Sequence, residues 1–199
     1  MWDRLAQRLE GRVVVLEALE RRHVAALRQA AAFAEIWRWA PIDANDDFDA
    51  WLEHALAQQE TREEVPFATV RADTGGVIGS TRFLALRPEH RSVEIGATWL
   101  TPAAWATGAN VEAKLLQLTH AFEMLGCMRV ELKTDAKNER SRRAMEAIPA
   151  QFEGVHRRHR IERYGHRDTA WYSVIADEWP EVKANLERRF ARHLASEAR

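Results

Sequence analysis

The first sixty residues change from a continuous apolar run to apolar positions spaced three or four residues apart. The run at 12–16 is rich in β-branched residues and predicts a short strand. Apolar positions on one helical face then predict a helix that Pro41 ends, and they are Val24, Leu27, Ala31 and Ala34. Polar residues 45–47 are suited to cap a second helix, whose apolar face is Phe48, Leu52, Ala55 and Leu56.

From Pro66 onward the hydrophobic pattern has the period of two that is typical of strands. Segments 67–70 and 77–83 flank a turn sequence at 73–76 and therefore predict a hairpin. Segment 93–99 predicts a further strand with two different faces. We assign Val93, Ile95, Ala97 and Trp99 to its apolar face, and Glu94, Gly96 and Thr98 to the opposite face.

The second half of the chain alternates helices with strands. An apolar stripe predicts a long helix that starts at Val111 and ends at Gly126, formed by Val111, Leu115, Leu118, Phe122 and Leu125. The later elements are a strand at 128–133, a helix at 138–147, strands at 152–161 and 169–175 around a turn at 164–165, and a polar helix from Asp177. This order predicts a mixed α/β fold with a parallel strand–helix–strand unit at 93–133.

Length and composition limit the class of protein. A chain of 199 residues suits one domain, with a core at about 10–180 and a helical extension at 177–199. The 29 Lys and Arg against 30 Asp and Glu give a charge of -1, which excludes nucleic-acid binding by bulk charge. The start of the sequence is charged, and no apolar stretch approaches the ~20 residues of a membrane span. We therefore expect a cytoplasmic protein outside the membrane, with its single cysteine, Cys127, buried as an apolar residue.

The junction between strand 93–99 and the helix from Val111 is the first candidate site. A helix start offers backbone N–H groups without internal partners, together with the positive end of the helix dipole. Phosphate binds readily at such a position, and the small residues Gly108 and Ala109 would leave space for it. A loop that only turns the chain could have the same composition, so this signal alone leaves both interpretations open.

Several segments around this junction follow a recognisable order. They are residues 105–113, 120–123, 129–135, 138–141 and 152–154. Together they resemble the GNAT acetyltransferase superfamily, and within it the branch that includes ribosomal-protein N-terminal acetyltransferases. The resemblance implies a GNAT fold with a central twisted mixed sheet flanked by helices. It also implies acetyl-CoA as the acetyl donor and a primary amine as the acceptor.

The resemblance further implies which residues bind the coenzyme. The pyrophosphate would lie on the loop and helix start formed by Trp105, Ala106, Thr107, Gly108, Ala109, Asn110 and Val111. The pantetheine arm would pair with the backbone of Trp99 and Leu100, and Asn138 would contact the same arm. Ser141 lies one turn later on the face of Asn138. The superfamily has Gln or Arg at the position of Trp105 and a small residue at the position of Asn110, so the loop departs from the pattern there.

Direct acetyl transfer needs a base for the amine and an acid for the departing thiolate. Glu94 is our predicted base, because it lies on the polar face of strand 93–99 and the family often uses a Glu in this strand. A strand carboxylate held in an ion pair is the alternative interpretation. Many family members use a Tyr as the acid, but the corresponding residue is Met145, which cannot donate a proton. Ser141 and solvent are the candidates that remain.

Trp37 and Trp39 lie in a region that borders the acceptor site in related proteins, although core packing would also explain them. A basic run at 157–167 predicts a solvated face, and an acidic peptide or RNA are its functional alternatives. His156 and His159 have no further metal ligand at a suitable spacing, so we predict no metal site.

The sequence therefore predicts an N-acetyltransferase that acts on the N-terminal amine of a protein or peptide. Acetylation of a small-molecule amine is one alternative, and a non-catalytic acyl-CoA or RNA-binding module is the other. Nucleic acid and membrane are not expected as partners, and a homodimer would be consistent with the family.

Overall fold

A computed structural model describes residues 2–197, with side chains described through Ser196. The α-helices are α1 (Val24–Ala31), α2 (Phe48–Glu60), α3 (Gly108–Thr119), α4 (Glu139–Glu146) and α5 (Trp179–Glu197). The strands are β1 (Leu9–Glu10), β2 (Val14–Ala18), β3 (Val65–Arg71), β4 (Val77–Arg87), β5 (Ser92–Leu100), β6 (Arg129–Asp135), β7 (Gln151–Glu162) and β8 (Gly165–Ile175). Short 3-10 helices lie at Trp2–Arg4, Arg21–His23, Ala34–Ile36, Pro88–His90 and Pro102–Ala104, and a π-helical turn, His120–Met124, continues α3. The predicted order of elements is confirmed, with β1 as an addition.

The described strands form one sheet of eight strands in the order β1-β2-β3-β4-β5-β6-β8-β7. Neighbouring strands are antiparallel except β5 and β6, which are parallel and joined by α3, as predicted. Their pairing joins only Ser92–Glu94 to Arg129–Glu131. Because β5 continues to Leu100 and β6 to Asp135, the two strands separate beyond Glu94. We call the resulting opening in the sheet the cleft.

The largest apolar cluster lies between one face of the sheet and the helices α3 and α5. The two helices run in opposite directions, because the ring of Trp179 near the start of α5 stacks on Phe122, just beyond α3, at 5.2 Å. Near the other end of α5, Phe190 lies against Gly108, the first residue of α3. Cys127 is buried in this cluster, and burial raises the pKa of its thiol to about 11, in agreement with the predicted apolar role.

A second cluster lies on the opposite face, where α1 and α2 cover β3 and β4. Three indole rings form its centre, with centroids 5.0 to 6.4 Å apart, and they belong to Trp37, Trp51 and Trp99. Neither helix extends over β6, β8 and β7 on this face. On that side Glu153 and His156 of the edge strand β7 are exposed, whereas Glu131, Thr169 and Ser173 of β6 and β8 are buried.

The first helix is shorter than predicted, since α1 ends at Ala31 and not at Pro41. The carbonyl of Ala31 accepts the indole N–H of Trp37 at 2.8 Å and the backbone N–H of Phe33 at 2.8 Å. These bonds turn the chain out of the helix and bring Trp37 into the core. Apolar spacing alone cannot show such a turn, because Ala-rich sequence would also continue the helix.

The predicted apolar face of β5 is wrong at its carboxyl end. Arg82 pairs with Gly96 and Ser80 with Trp99, so two steps along β4 match three steps along β5. This β-bulge places Ala97 at φ 47° and moves Trp99 to the side of Glu94, away from Val93 and Ile95. A strict period of two cannot reveal a bulge, which reverses every side chain beyond it.

Among residues 2–197, no helix combines the length and the apolar character needed to cross a bilayer.

Candidate active site

The cleft exposes two residues in the middle of a strand that is otherwise largely buried. Ala97 and Thr98 are exposed, whereas Ile95 before them and Trp99 after them are buried. The bulge in β5 lies at the same two positions. Solvent therefore reaches the centre of the sheet through the cleft, and an extended group could enter there beside β5.

The start of α3 lies where the chain enters the helix from β5. The side-chain oxygen of Thr107 caps the helix by accepting the amide of Ala109 at 3.2 Å, and its hydroxyl donates to the Ala104 carbonyl at 2.8 Å. No loop carbonyl or side chain of the described residues accepts from the amides of Gly108 or Asn110. These amides and the helix dipole suit an anionic group such as a diphosphate.

Gly108 has a structural reason in addition to the predicted space for a phosphate, which stays a prediction. A Cβ at this position would lie 3.2 Å from the ring of Phe190 and 3.5 Å from the Cβ of His193. The missing side chain therefore allows α5 to pack on α3. A large residue at Gly108 would disturb this packing, so it would not be a clean test of phosphate binding.

At the cleft mouth, Trp105 before α3 contacts Arg140 on α4. Trp105 donates its indole N–H to the carbonyl of Leu100 at 2.8 Å, which fixes the ring beside the end of β5. The guanidinium carbon of Arg140, on the first turn of α4, lies 3.8 Å from the centroid of that ring. The same turn holds Asn138 as N-cap, with its side-chain oxygen accepting the amide of Ser141 at 3.2 Å. Asn138 and Ser141 are therefore brought to the cleft mouth, facing the loop before α3.

Glu94 lies at the last paired position before β5 and β6 separate, which is the closed end of the cleft. Its side chain is buried, and one of its oxygens lies 2.6 Å from Nζ of Lys133 on β6. Burial raises the pKa of the Glu94 carboxyl, while the charge of Lys133 opposes that change. A carboxylate with a raised pKa at the end of an open cleft can accept a proton from a substrate.

Comparisons with known proteins agree with this geometry. Residues 14–151 match the family described as "Acetyltransferase (GNAT) domain". The chain therefore belongs to the GNAT acetyltransferase family. It is 31% identical over 121 residues to the uncharacterized N-acetyltransferase YoaA of Bacillus subtilis (strain 168). The matched region covers 61% of this chain and 67% of YoaA.

Solved GNAT structures have the same fold. A GCN5-related N-acetyltransferase from Brucella melitensis is 29% identical, with a TM-score of 0.86 over 93% of this chain and 86% of that one. Mycobacterium smegmatis RimJ, solved in complex with CoA-disulfide, is 20% identical, with a TM-score of 0.76 over 92% of each chain. The predicted GNAT fold and the acetyltransferase class are confirmed.

Met145 is buried in the large apolar cluster and offers no proton donor. No residue of α4 is a tyrosine, and the assignment of Met145 to the position of the family's tyrosine stays a prediction. Leu100 has its carbonyl bound to Trp105, while the carbonyl of Trp99 is directed at β4, where a Cβ on Gly79 would overlap it. Within the pair predicted to hold pantetheine, the backbone of Trp99 is therefore engaged on the side away from the cleft.

The end of the β7–β8 hairpin partly covers the face of the sheet that carries Glu94. Arg163 pairs with Asp43 at 3.1 Å and donates to the Ala40 carbonyl at 3.2 Å. Tyr164 donates to Asp135 at 3.1 Å and meets the edge of Trp39 at 5.6 Å. Burial, together with the charge of Asp135, raises the pKa of Tyr164 to about 12, so it stays protonated.

The two tryptophans predicted to shape the acceptor pocket differ in position. Trp37 is only 2% exposed in the indole cluster, whereas Trp39 is half-buried beside the hairpin end. The basic run has several internal partners, because Arg160 and Arg167 approach Glu162 and Arg163 approaches Asp43. No group of three or more metal-ligating side chains occurs in the described part of the chain.

Sequence analysis missed a buried lysine behind the cleft wall. Lys114 on α3 directs Nζ toward the hydroxyls of Thr98 and Thr81 at 2.8 and 3.3 Å, and toward the Gln117 side-chain oxygen at 3.2 Å. Burial lowers the pKa of Lys114 to about 7. A signal was present in the sequence, because Lys114 lies three residues after Val111 and four before Leu118, on the apolar stripe of the predicted helix.

Proposed function

We propose that this chain transfers the acetyl group of acetyl-CoA directly to the N-terminal amine of a protein or peptide. The acetyltransferase class follows from the family, and the acceptor is our inference. The RimJ structure with CoA-disulfide has the same fold, which supports coenzyme A as the donor's carrier. The observation that carries the acceptor proposal is the groove formed by β6, β8 and β7 on the face of the sheet that carries Glu94.

The cleft and its mouth suit the coenzyme part by part. The exposed stretch of β5 at Ala97 and Thr98 would lie beside the pantetheine arm, and the amides of Gly108 and Asn110 would bind the diphosphate. Arg140 would add a cation at the same place, next to Trp105. Acetyl-CoA supplies an acetyl group that is activated as a thioester.

Glu94 would accept the proton of the attacking amine. An alkyl amine is mostly protonated near neutral pH and attacks only in its neutral form. The position of Glu94 at the closed end of the cleft allows it to take this proton directly or through one water molecule. The acetyl group passes directly from the thioester to the amine, so no side chain of the protein becomes acetylated during the reaction.

The surface beside Glu94 favours an extended acceptor. Lys133 lies 4.8 Å from the ring of Trp171, and the same ring contacts His156 and His159 with centroids 5.0 and 5.9 Å away. A cavity of about 440 Å³ on this face is lined by Arg129, Glu131, Glu153, Gly154, Val155, His156 and Trp171. Small-molecule sites usually enclose most of their ligand, whereas this cavity opens along β7, where Glu153, Val155 and His156 are exposed. An open polar groove suits a peptide that lies across the strands.

An acceptor panel tests the proposal. We expect mass spectrometry to detect acetyl transfer to peptides with a free N-terminus, and kcat/KM at least tenfold lower for N-terminally blocked peptides and for small amines. Trp171→Ala should raise KM for the peptide several-fold without changing the Kd of CoA, because its ring forms the groove and lies outside the cleft. Efficient acetylation of polyamines, amino acids or aminoglycosides would instead establish a small-molecule acceptor. CoA binding without any transfer would indicate a non-catalytic module.

Arg140→Ala is expected to weaken CoA binding about tenfold, since one charge-assisted hydrogen bond to phosphate is lost. The matched control is Arg143→Ala on the same helix, because Arg143 is exposed and pairs with Glu139 at 2.7 Å. Calorimetry should give the control a Kd within twofold of the wild-type value. Pantetheine, which lacks the diphosphate, should bind both variants equally. Equal losses of CoA affinity in the two variants would contradict a specific role for Arg140.

A further inference from the structure

We propose that the Thr98 hydroxyl protonates the departing thiolate and that Lys114, behind it, replaces the proton. This inference rests on the proposed function, since it assigns the acid for the same transfer. It names a proton donor in a chain where Met145 occupies the position of the family's tyrosine.

The first observation is the position of Lys114. Its ammonium group is buried between α3 and the sheet, and every partner is a neutral oxygen: those of Thr81, Thr98 and Gln117. A buried lysine normally pairs with a carboxylate, because an unpaired charge is costly inside a protein. An apolar side chain would satisfy packing at lower cost, so packing alone does not explain an amine here.

The second observation is that this buried amine is one hydroxyl group away from the cleft. Nζ of Lys114 lies 2.8 Å from Oγ1 of Thr98, and Thr98 is exposed in the cleft wall. Thr81 is completely buried and so cannot reach the cleft. A hydrogen-bonded route from Lys114 into the cleft therefore passes through Thr98.

Within residues 2–196, the groups that contact Nζ of Lys114 are all uncharged. Thr81 faces it from β4, Thr98 from β5 and Gln117 from α3. Glu112, on the same helix, is occupied by the backbone amides of residues 12–14. Because burial lowers the pKa of Lys114 to about 7, the amine can release and regain a proton near neutral pH.

The proton transfers balance. The neutral acceptor amine forms a bond to the acetyl carbon and its nitrogen gives one proton to Glu94, while the carbon–sulfur bond breaks and sulfur takes the electron pair. The proton of the Thr98 hydroxyl moves to sulfur, while a proton from Nζ of Lys114 moves to the Thr98 oxygen. Glu94 carries the acceptor's proton to solvent, and neutral Lys114 regains one from solvent before the next turnover. Ser141 provides the alternative donor, and it lies at the cleft mouth, on the first turn of α4.

Three threonine variants test the route at its cleft end. Thr98→Val should lower kcat at least tenfold and leave the Kd of CoA within twofold, because general-acid groups typically contribute about 10²–10⁴ in rate. Thr98→Ser should retain most of kcat, since it keeps the hydroxyl. Thr69→Val on β3 is the matched control, because Thr69 is a buried strand threonine whose hydroxyl has no hydrogen-bond partner among the described residues, and it should stay within threefold of wild type. A loss confined to Ser141→Ala would overturn the proposal.

The pH dependence and a direct titration test Lys114. Only protonated Lys114 can supply the proton, so wild-type kcat should fall as pH rises through its pKa, and Lys114→Met should lose this limb. The chain has four lysines, so NMR with ¹³C,¹⁵N-lysine can follow each one, and Lys114 is expected to titrate near neutral pH. Thr98→Val should shift that titration even if Lys114→Met does not fold. A Lys114 signal that stays protonated above pH 9 would overturn the relay.

The relay and the proposed function fail in different ways. Wild-type protein that binds CoA and acetylates peptides, with Thr98→Val equally active, would overturn only the relay. Wild-type protein that transfers no acetyl group to any amine would overturn the proposed function, and the relay with it.

Discussion

Replacing Glu112 by alanine is expected to lower the free energy of unfolding by about 3–5 kcal/mol, because it leaves buried amides without an acceptor. The Glu112 carboxylate accepts the backbone amides of Arg12, Val13 and Val14 at 2.6, 2.7 and 2.8 Å. These bonds attach α3 to the start of β2. In the sheet, β3 and β4 separate β2 from the cleft between β5 and β6. Glu112→Gln keeps one acceptor oxygen and should lose about half as much.

Urea unfolding followed by circular dichroism would measure this difference. Glu139→Ala is the matched control, because Glu139 lies on α4 and its exposed carboxylate pairs with Arg143 at 2.7 Å. Exposed ion pairs contribute about 0–1 kcal/mol, so the control should unfold close to the wild-type midpoint. If Glu112→Ala also unfolded close to the wild-type midpoint, the three backbone amides would have found other hydrogen-bond partners.

The order of helices and strands could be predicted because each depends on local periodicity. Segment 93–99 became β5 and the helix from Val111 became α3, although α3 starts three residues earlier, at Gly108. The Thr107 cap sets that start, and it depends on one side-chain hydrogen bond that apolar spacing does not record. The bulge at Ala97 likewise depends on register against β4, which is a non-local property.

Site residues could be predicted only where their role is visible within one short segment of the sequence. The loop before α3 and the carboxylate of Glu94 were identified from local sequence, and the structure places them at the mouth and the closed end of one cleft. Lys114 was not identified, and Arg140 was considered for the phosphates but assigned to the solvated surface, because each acquires its role through a partner on another element. Arg140 meets Trp105 and Lys114 meets Thr98 only after the sheet has formed.

The cleft exists because β5 and β6 are parallel for three residue pairs and then separate. A hydrogen-bonded sheet would otherwise leave no access to its centre. The separation exposes the bulge of β5, brings the starts of α3 and α4 to the same end, and leaves Glu94 at the other. The same break in pairing thus creates both the space for the coenzyme arm and the position of the base.

Glu94→Gln is expected to lower kcat by about 10²–10³-fold and to leave the Kd of CoA unchanged, because the amide has the same shape but cannot accept the amine proton. Stopped thiol-release assays with a peptide acceptor and calorimetry with CoA would measure the two quantities. Glu17→Gln is the matched control on the distant strand β2, where His23 and Arg22 already hold the carboxylate at 3.0 and 3.1 Å. Its kcat should stay within threefold of wild type.

The pH profile separates a base from a structural ion pair. Glu94 can act only when ionised, and burial raises its pKa, so wild-type kcat should rise as pH increases through that pKa, and Glu94→Gln should lose this limb. Lys133→Met removes the cation that opposes the rise, so the limb should move to higher pH while the plateau stays. If Glu94→Gln instead kept both the wild-type plateau and the limb, the carboxylate would serve only to hold Lys133 at the end of the cleft.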